Sequence, residues 1–328
     1  MKKIRWGIIG CGDVTEVKSG PGFQKAENSE LVAVMRRNGD LAKDYAERHG
    51  VPRWYDDGDA LIHDPDVNAV YIATPPNSHK EYTLKAAAAG KPVYVEKPMA
   101  LNFAECQAMI AACAAANVPL FVAFYRRALP RFLKIKDMIQ SGSIGEVRYV
   151  NIICTKRPRP VNQGADLPWR VLPEISGGGI FVDIASHMLD LLDWMLTPIA
   201  DVRGFAANQG GGYLAEDIVS GSFQFESGVI GSGVWSFTAF EDVDRTEIVG
   251  THGKIVYATF DDSPVEVITE NGKTAYPLPN PTHIQQPVIQ TIVNELNGMG
   301  KCPSSGESAA RTSHVMDRLL MDYYRASG

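Results

Sequence analysis

The sequence predicts an α/β protein in two parts: an N-terminal parallel sheet wound with helices, then an α+β part built on a large, mostly antiparallel sheet. Three observations predict it. Over residues 1–123, short apolar runs alternate with helical patterns. The first of these runs leads directly into a Gly-x-Gly turn at Gly10. Beyond Phe124 the alternation stops, and from Asp201 to Ile268 the chain reads as strands and turns with little helix. Strand–helix–strand repetition builds a parallel sheet through right-handed crossovers, so the boundary between domains is expected at 123/124, with 124–328 as the second.

In the first part, strands are expected at Ile4–Ile9, Glu30–Met35, Ala69–Ala73, Pro92–Val95 and Leu120–Ala123. Helices are expected at Val14–Lys25, Leu41–His49, Lys80–Ala89 and Phe103–Ala116. In the second part a helix over Arg131–Ser141 stops at Gly142, and a strand follows at Glu146–Thr155. The run Ser176-Gly177-Gly178-Gly179 opens a helix to Met195, and Asn271-Gly272 reads as a hairpin turn. Two helices, Pro287–Leu296 and Glu307–Ala326, close the chain.

Composition sets limits on function. With 45% hydrophobic residues, 21% charged and a net charge of −6, the 328-residue chain is ordinary for a globular protein. The acidic balance gives no pull toward nucleic acid or anionic membrane, although Lys156-Arg157-Pro158-Arg159 is a local basic patch. No run of about eighteen apolar residues suggests a membrane span, and the N-terminus does not read as a signal peptide. Five widely spaced cysteines without a C-x-x-C argue against a disulfide framework or a cysteine metal site, and a reducing cytoplasm is the expected home.

Chemistry concentrates in three motifs. Gly10-Cys11-Gly12-Asp13-Val14-Thr15 follows a strand and opens a helix, the context of a dinucleotide fingerprint. The first Gly permits the tight turn, the second lets a pyrophosphate approach the backbone, and the helix N-terminus at Asp13 and Val14 faces the phosphates. Thr15 stands where a third small residue is usual. An acid at the end of strand two would hold the ribose hydroxyls, but that strand ends Met35-Arg36-Arg37-Asn38. Two guanidiniums there suit a 2′-phosphate, so NADP(H) is expected over NAD(H). The alternative is that both arginines are simply solvated.

The second motif, Glu96-Lys97-Pro98, ends a strand of the parallel sheet, where ligands of such sheets bind. Lys97 is placed to hydrogen-bond a substrate hydroxyl; a surface lysine before a turn is the plain alternative. In the third, Asp183, His187 and Asp190 stand at i, i+4 and i+7 and share a helix face. A histidine suits general acid/base work on an alcohol, with a carboxylate to orient it. A metal site or a structural ion pair are the alternatives; no further ligand motif of standard spacing supports a metal.

Together these motifs, with Ala73-Thr74-Pro75-Pro76-Asn77-Ser78-His79, resemble the glucose–fructose oxidoreductase / inositol dehydrogenase / rhizopine catabolism (Gfo/Idh/MocA) family over nearly the whole chain. The resemblance implies Lys97, Asp183 and His187 as catalytic residues, and their places at a strand end and on a helix face lead to the expectation that they converge in the cleft between the two domains. It also implies a nicotinamide-side loop with Thr74, Pro75, Asn77 and His79, and Glu96 and Lys97 are expected as further cofactor contacts. The expected reaction is hydride transfer at one carbon of a sugar, cyclitol or related diol. Trp169, Arg170, Lys156 and His283 are candidate substrate contacts, with a solvated loop or, for His283, a helix cap as alternatives. A homodimer or homotetramer through the antiparallel sheet is expected. A dinucleotide-sensing regulator on the same fold is the competing function, and it would be expected to lose the trio that this chain keeps.

Overall fold

The computed structural model describes residues 1–158 and 167–326. Arg159, the last residue of the basic patch, lies outside them. The chain forms two compact units, residues 1–129 with 281–310, and residues 130–280 with 311–328. Pro281–Ala310, read above with the second part, therefore belongs to the first unit.

The first unit holds a six-stranded parallel sheet ordered β3-β2-β1-β4-β5-β6. Its strands are β1 (Ile4–Ile9), β2 (Ser29–Met35), β3 (Arg53–Tyr55), β4 (Ala69–Ile72), β5 (Val93–Val95) and β6 (Leu120–Val122). The order reverses between β1 and β4, the switch point at which doubly wound sheets take ligands. The helices are α1 (Gly20–Lys25), α2 (Gly39–His49), α3 (Gly58–His63), α4 (His79–Ala88) and α5 (Phe103–Ala115). Both sheet faces are buried, as parallel sheets require. Trp6, Tyr71 and Tyr94 point to one face, where they pack with Phe23 of α1; the Trp6 and Phe23 rings lie 4.8 Å apart. Val70, Ile72, Val93 and Val95 point to the other and pack with Leu61, Ala86, Cys106 and Met109.

Two features here escape a sequence reading. Strand β3 and helix α3 are short: three residues at the sheet edge and a six-residue helix capped by Asp57. Neither is long enough to show a period. The expected helix Val14–Lys25 is also not continuous. Thr15–Ser19 is a π-helical turn, and α1 begins at Gly20. The Gly20 N–H reaches back to Thr15 O, and Tyr45 OH bonds the same carbonyl at 2.8 Å. Pro21 has no N–H, so Val17 O lacks its α-helical donor. His283 Nδ1 stands 2.7 Å from that oxygen, and Gln285 N bonds Lys18 O.

The second unit contains α6 (Pro130–Gln140), β7 (Val147–Thr155), α7 (Pro173–Ser176) and α8 (Ile180–Met195). The strands β8 (Ile199–Ala207), β9 (Ile218–Phe225), β10 (Ile230–Ser236), β11 (Val243–Gly250), β12 (Gly253–Tyr257), β13 (Val265–Thr269) and β14 (Gly272–Tyr276) follow. The eight strands run β14-β13-β12-β11-β7-β10-β9-β8, antiparallel except for the β7–β10 pair. The parallel and mostly antiparallel sheets are those the sequence predicts. Helix α8 packs on this sheet through Phe181, whose ring meets Trp235 edge-on at 5.3 Å. Pro173–Met195 is the one helical stretch among the described residues long and apolar enough to cross a membrane, and it is 72% buried within the protein. The chain ends with α9 (Gln286–Leu296) in the first unit and α10 (Gly306–Ala326).

Glu16, in the π turn, ties that turn to α2. Arg48 grips its carboxylate with two bonds of 2.8 and 2.9 Å, and His49 Nε2 adds a third contact at 2.7 Å. The Arg48 bonds are the largest cause that holds the Glu16 carboxyl at about 2, against an ordinary 4.5. A carboxyl lowered in the folded state contributes its stability above its unfolded value and loses it as pH falls toward the folded one. Urea unfolding between pH 4.5 and 2 should therefore show a steeper loss for the wild type than for Glu16→Gln. Parallel curves would contradict this.

Candidate active site

In the first unit the site begins where β1 ends. Gly10 sits at φ +91°, and a Cβ there would stand 2.9 Å from Thr74 N and 3.0 Å from Ala73 C. Only glycine lets β1 and β4 leave the sheet side by side. At Gly12 the nearest atom to an added Cβ is 3.9 Å away, so the backbone there is open to a ligand. Asp13 is exposed and Val14 half-buried. Thr15, which stands where a third small residue is usual, is fully buried, and its Oγ1 donates to Gly12 O at 2.7 Å. Open backbone at Gly12 beside a fixed turn fits the pyrophosphate of a dinucleotide.

Arg36 and Arg37 extend from the end of β2, both exposed. Among the described residues neither guanidinium takes a hydrogen bond or ion pair. Asn38, next in line, caps α2 by accepting from Leu41 N.

The loop after β4 is ordered from within. Thr74 and Pro75 are half-buried, and Asn77 is exposed. Ser78 Oγ donates to Thr74 Oγ1 at 2.7 Å. His79 is fully buried: Nε2 lies 2.8 Å from Thr74 O, and Nδ1 lies 3.1 Å from Pro98 O. Burial lowers its pKa, against the opposing pull of these carbonyls. The His79 side chain thus joins the Thr74 loop to the segment after Lys97 and is itself enclosed.

Glu96 is enclosed as well. Its Oε1 accepts from Tyr71 OH at 2.5 Å and from Gln285 Nε2 at 2.6 Å, and its Oε2 accepts from Lys97 N at 3.1 Å. Tyr94 OH completes the network by donating to Gln285. Burial, then the Glu96 charge, pushes the phenols of Tyr71 and Tyr94 well up. This network fixes the strand end that presents Lys97, which is half-buried; the Lys97–Pro98 peptide is cis. His283, a candidate substrate contact above, lies in this unit as the partner of Val17 O and of Lys25 Nζ, at 2.6 Å.

In the second unit, α8 starts under tight constraint. Gly177, at φ +83°, ends α7. The Gly179 N–H donates to Glu216 Oε1 at 2.7 Å, and a Cβ on Gly179 would stand 2.3 Å from Glu216 O. The partner that the glycine run admits is a backbone. Glu216 is fully buried and also accepts from Tyr324 OH at 2.6 Å. Burial is the largest influence on its carboxyl and raises the pKa. Asp183 is partly exposed, with Arg170 Nε 3.3 Å away, and the Arg170 guanidinium lies 4.4 Å from the Trp169 ring center. One turn on, His187 is buried, and Phe260 meets its ring edge-on at 5.9 Å. Asp190 is buried beside Thr312 Oγ1 at 3.5 Å. Lys156 pairs loosely with Asp242 at 3.5 Å, and the same carboxylate accepts from Arg157 N.

Sequence reasoning missed Glu216 and Phe260. Two adjacent acids, Glu216-Asp217, at the mouth of an apolar strand were a signal for the first; nothing local marks the second.

Comparison with known proteins follows the same division. The model described as "Oxidoreductase family, NAD-binding Rossmann fold" matches residues 4–124, and the "GFO/IDH/MocA C-terminal domain" model matches residues 132–256. The chain belongs to the GFO/IDH/MocA oxidoreductase family. It is 44% identical to Oxidoreductase P35 of Formosa agariphila, over 96% of this chain and 98% of that one. It is 29% identical to a 1,5-anhydro-D-fructose reductase of Ensifer adhaerens, over 92% and 91%. It resembles the crystal structure of an aldose-aldose oxidoreductase from Caulobacter crescentus complexed with glycerol. That match has a TM-score of 0.85 and 25% identity, and it covers 99% of this chain and 98% of that one. As a family member the protein is a nicotinamide-dinucleotide-dependent oxidoreductase.

Because Gly179 lies against the Glu216 backbone, Gly179→Ala should cost about 3 kcal/mol, the upper range for forced overpacking. A urea midpoint equal to that of the wild type would contradict the contact.

Proposed function

We propose that this family member interconverts a carbinol and a carbonyl carbon in a sugar, cyclitol or related diol, with His187 as general acid/base. The observation that carries the reading is the Asp183–His187 face of α8, whose start is fixed by Glu216 and whose acid is held by Arg170. In the oxidative direction the hydroxyl proton passes to an imidazole nitrogen of His187, and the carbinol hydrogen departs with its electron pair. The nicotinamide, when bound, supplies the acceptor for that hydride. Asp183 orients His187. Lys97 holds the reacting oxygen and favours its alkoxide character. Trp169, Arg170 and Lys156 are assigned to the substrate's other polar groups. Gly10, Gly12, Asp13 and Val14 would hold the pyrophosphate, and Thr74, Pro75 and Asn77 would line the nicotinamide half. The enclosed His79 and Glu96 act by keeping that loop and Lys97 in place.

Cofactor preference rests on Arg36 and Arg37, exposed at the end of β2, after which the sequence has no carboxylate until Asp40. They support NADP(H) over NAD(H), through charge-assisted bonds to a 2′-phosphate. Assembly rests on the open face of the large sheet. Tyr149 and Ile153 of β7 lie beside Ile230 and Val234 of β10 in register, all exposed, and Phe205 of β8 is 86% exposed. An apolar face of this kind supports a homodimer or homotetramer.

Three measurements check these proposals. His187→Ala should lower turnover about 10²–10⁴-fold on the best substrate from a panel of myo-inositol, D-glucose, D-xylose and 1,5-anhydro-D-fructose. Cofactor affinity should barely change, and Asp183→Asn should add little in the double variant. Unimpaired turnover of His187→Ala would remove it as the base. Titration should give at least about tenfold tighter NADP(H) than NAD(H), about 1.4 kcal/mol, eroded by Arg36→Ala or Arg37→Ala; equal affinities would end this reading. Light scattering at micromolar concentration should report a dimer or tetramer, which Val234→Glu should weaken. A monomeric wild type would contradict the assembly.

A further inference from the structure

The loop between β12 and β13 has no regular structure, yet it is pinned from two sides. Asp244 of β11 accepts from Thr259 N at 3.0 Å and from Phe260 N at 2.7 Å, one bond to each carboxylate oxygen. Arg131 of α6, only 1% exposed, donates from Nη1 to Asp261 O at 2.5 Å and from Nη2 to Ser263 O at 2.8 Å. Asp261 Oδ1 then accepts from Ser263 N at 2.8 Å. A buried guanidinium that serves two carbonyls of one loop is a large desolvation cost, and it is offset only if those bonds are kept. The loop is therefore rigid by construction, although it contains no helix or strand.

That construction holds one side chain in particular. Phe260 lies between the two pins and is half-buried, and its ring meets the buried His187 ring at 5.9 Å and 73°. Edge-to-face contact fixes the relative tilt of two rings, because their quadrupoles disfavour other arrangements at this separation. An imidazole has one soft torsion beyond χ1, broad and roughly two-fold, and a neighbour that sets the tilt holds the ring plane, and with it the plane in which both nitrogens lie. For a proton-transferring group, misplacement by about 1 Å costs up to about 10²-fold in rate.

We propose that Phe260 is a positioning residue for His187: the loop pinned by Asp244 and Arg131 holds its ring against the imidazole and so fixes the plane in which the proton-transferring nitrogen lies. The inference rests on His187 being the acid/base, and it adds a residue and a loop that no motif marks.

The test uses the full chain labelled with ¹⁵N-histidine, the His187 signals being assigned by their loss in His187→Ala. In the wild type the ring nitrogens should report one tautomer. Phe260→Ala should move them toward the averaged position of two exchanging tautomers, and Phe260→Tyr, which keeps the ring, should restore them. On the best panel substrate, Phe260→Leu should lower kcat about tenfold with a smaller change in KM and unchanged cofactor affinity. Phe260→Tyr should recover most of that loss. In the His187→Ala background, Phe260→Leu should cost nothing further. Unmoved His187 signals in Phe260→Ala, full kcat in Phe260→Leu, or a tyrosine variant as impaired as the leucine one would each overturn the proposal. Full activity of His187→Ala would instead defeat the acid/base reading itself, and the ring signals would still show whether Phe260 sets the imidazole.

Discussion

Two of the glycines at which an added Cβ would run into backbone, Gly10 and Gly179, set the loop and the helix on which the two parts of the proposed site depend. At Gly10, where the backbone turns out of β1, an added methyl group would stand 2.9 Å from Thr74 N. At Gly179 the start of α8 lies against the Glu216 carbonyl, at 2.3 Å from such a methyl. Close backbone approach is what allows the loops after β1 and β4 to run side by side. It is also what sets the angle at which α8 presents Asp183 and His187. Exchanging a core side chain costs a cavity or a lost bond, whereas any side chain added at these glycines displaces backbone.

Around these contacts the protein uses buried ionisable groups as fasteners. Glu96, His79, Glu216 and Arg131 are each enclosed and each bonded to backbone or to a second buried polar group. Burying such groups is expensive, and the cost is met only when their bonding capacity is filled. The result is specificity of geometry: a carboxylate that must accept from Tyr71, Gln285 and Lys97 N permits one arrangement of the strand end. Asp183 and Lys97, by contrast, keep partial exposure and stay accessible to a ligand.

The π turn after the dinucleotide loop follows the same logic over a longer range. Pro21 leaves Val17 O without a helical donor, and His283, more than 260 residues away, lies against it. A local defect in a helix thereby becomes the seat of the returning segment 281–310, which also carries Gln285 into the Glu96 network.

Much of this was legible in the chain itself. The parallel sheet follows from Ile4–Ile9, Ala69–Ile72 and Val93–Val95, whose apolar runs admit no other placement once helices alternate with them. The Gly10 turn and the Asp183–His187 face follow from spacing, because a turn at positive φ and a helical i, i+4 pair are local geometry. What the chain alone could not reveal depends on distant partners. Thr15 reads only as a departure from the usual small residue, yet it is buried and its hydroxyl donates to Gly12 O. His283 and Glu96 read as ligand contacts, yet each is taken up by backbone or side chains far away in sequence. Phe260 reads as nothing at all, and only the fold of β11, β12 and α6 brings it to His187. Sequence alone marked the residues whose chemistry suits the proposed reaction; tertiary structure decided which of them are spent on holding the frame, because burial and long-range hydrogen bonds have no local period to read.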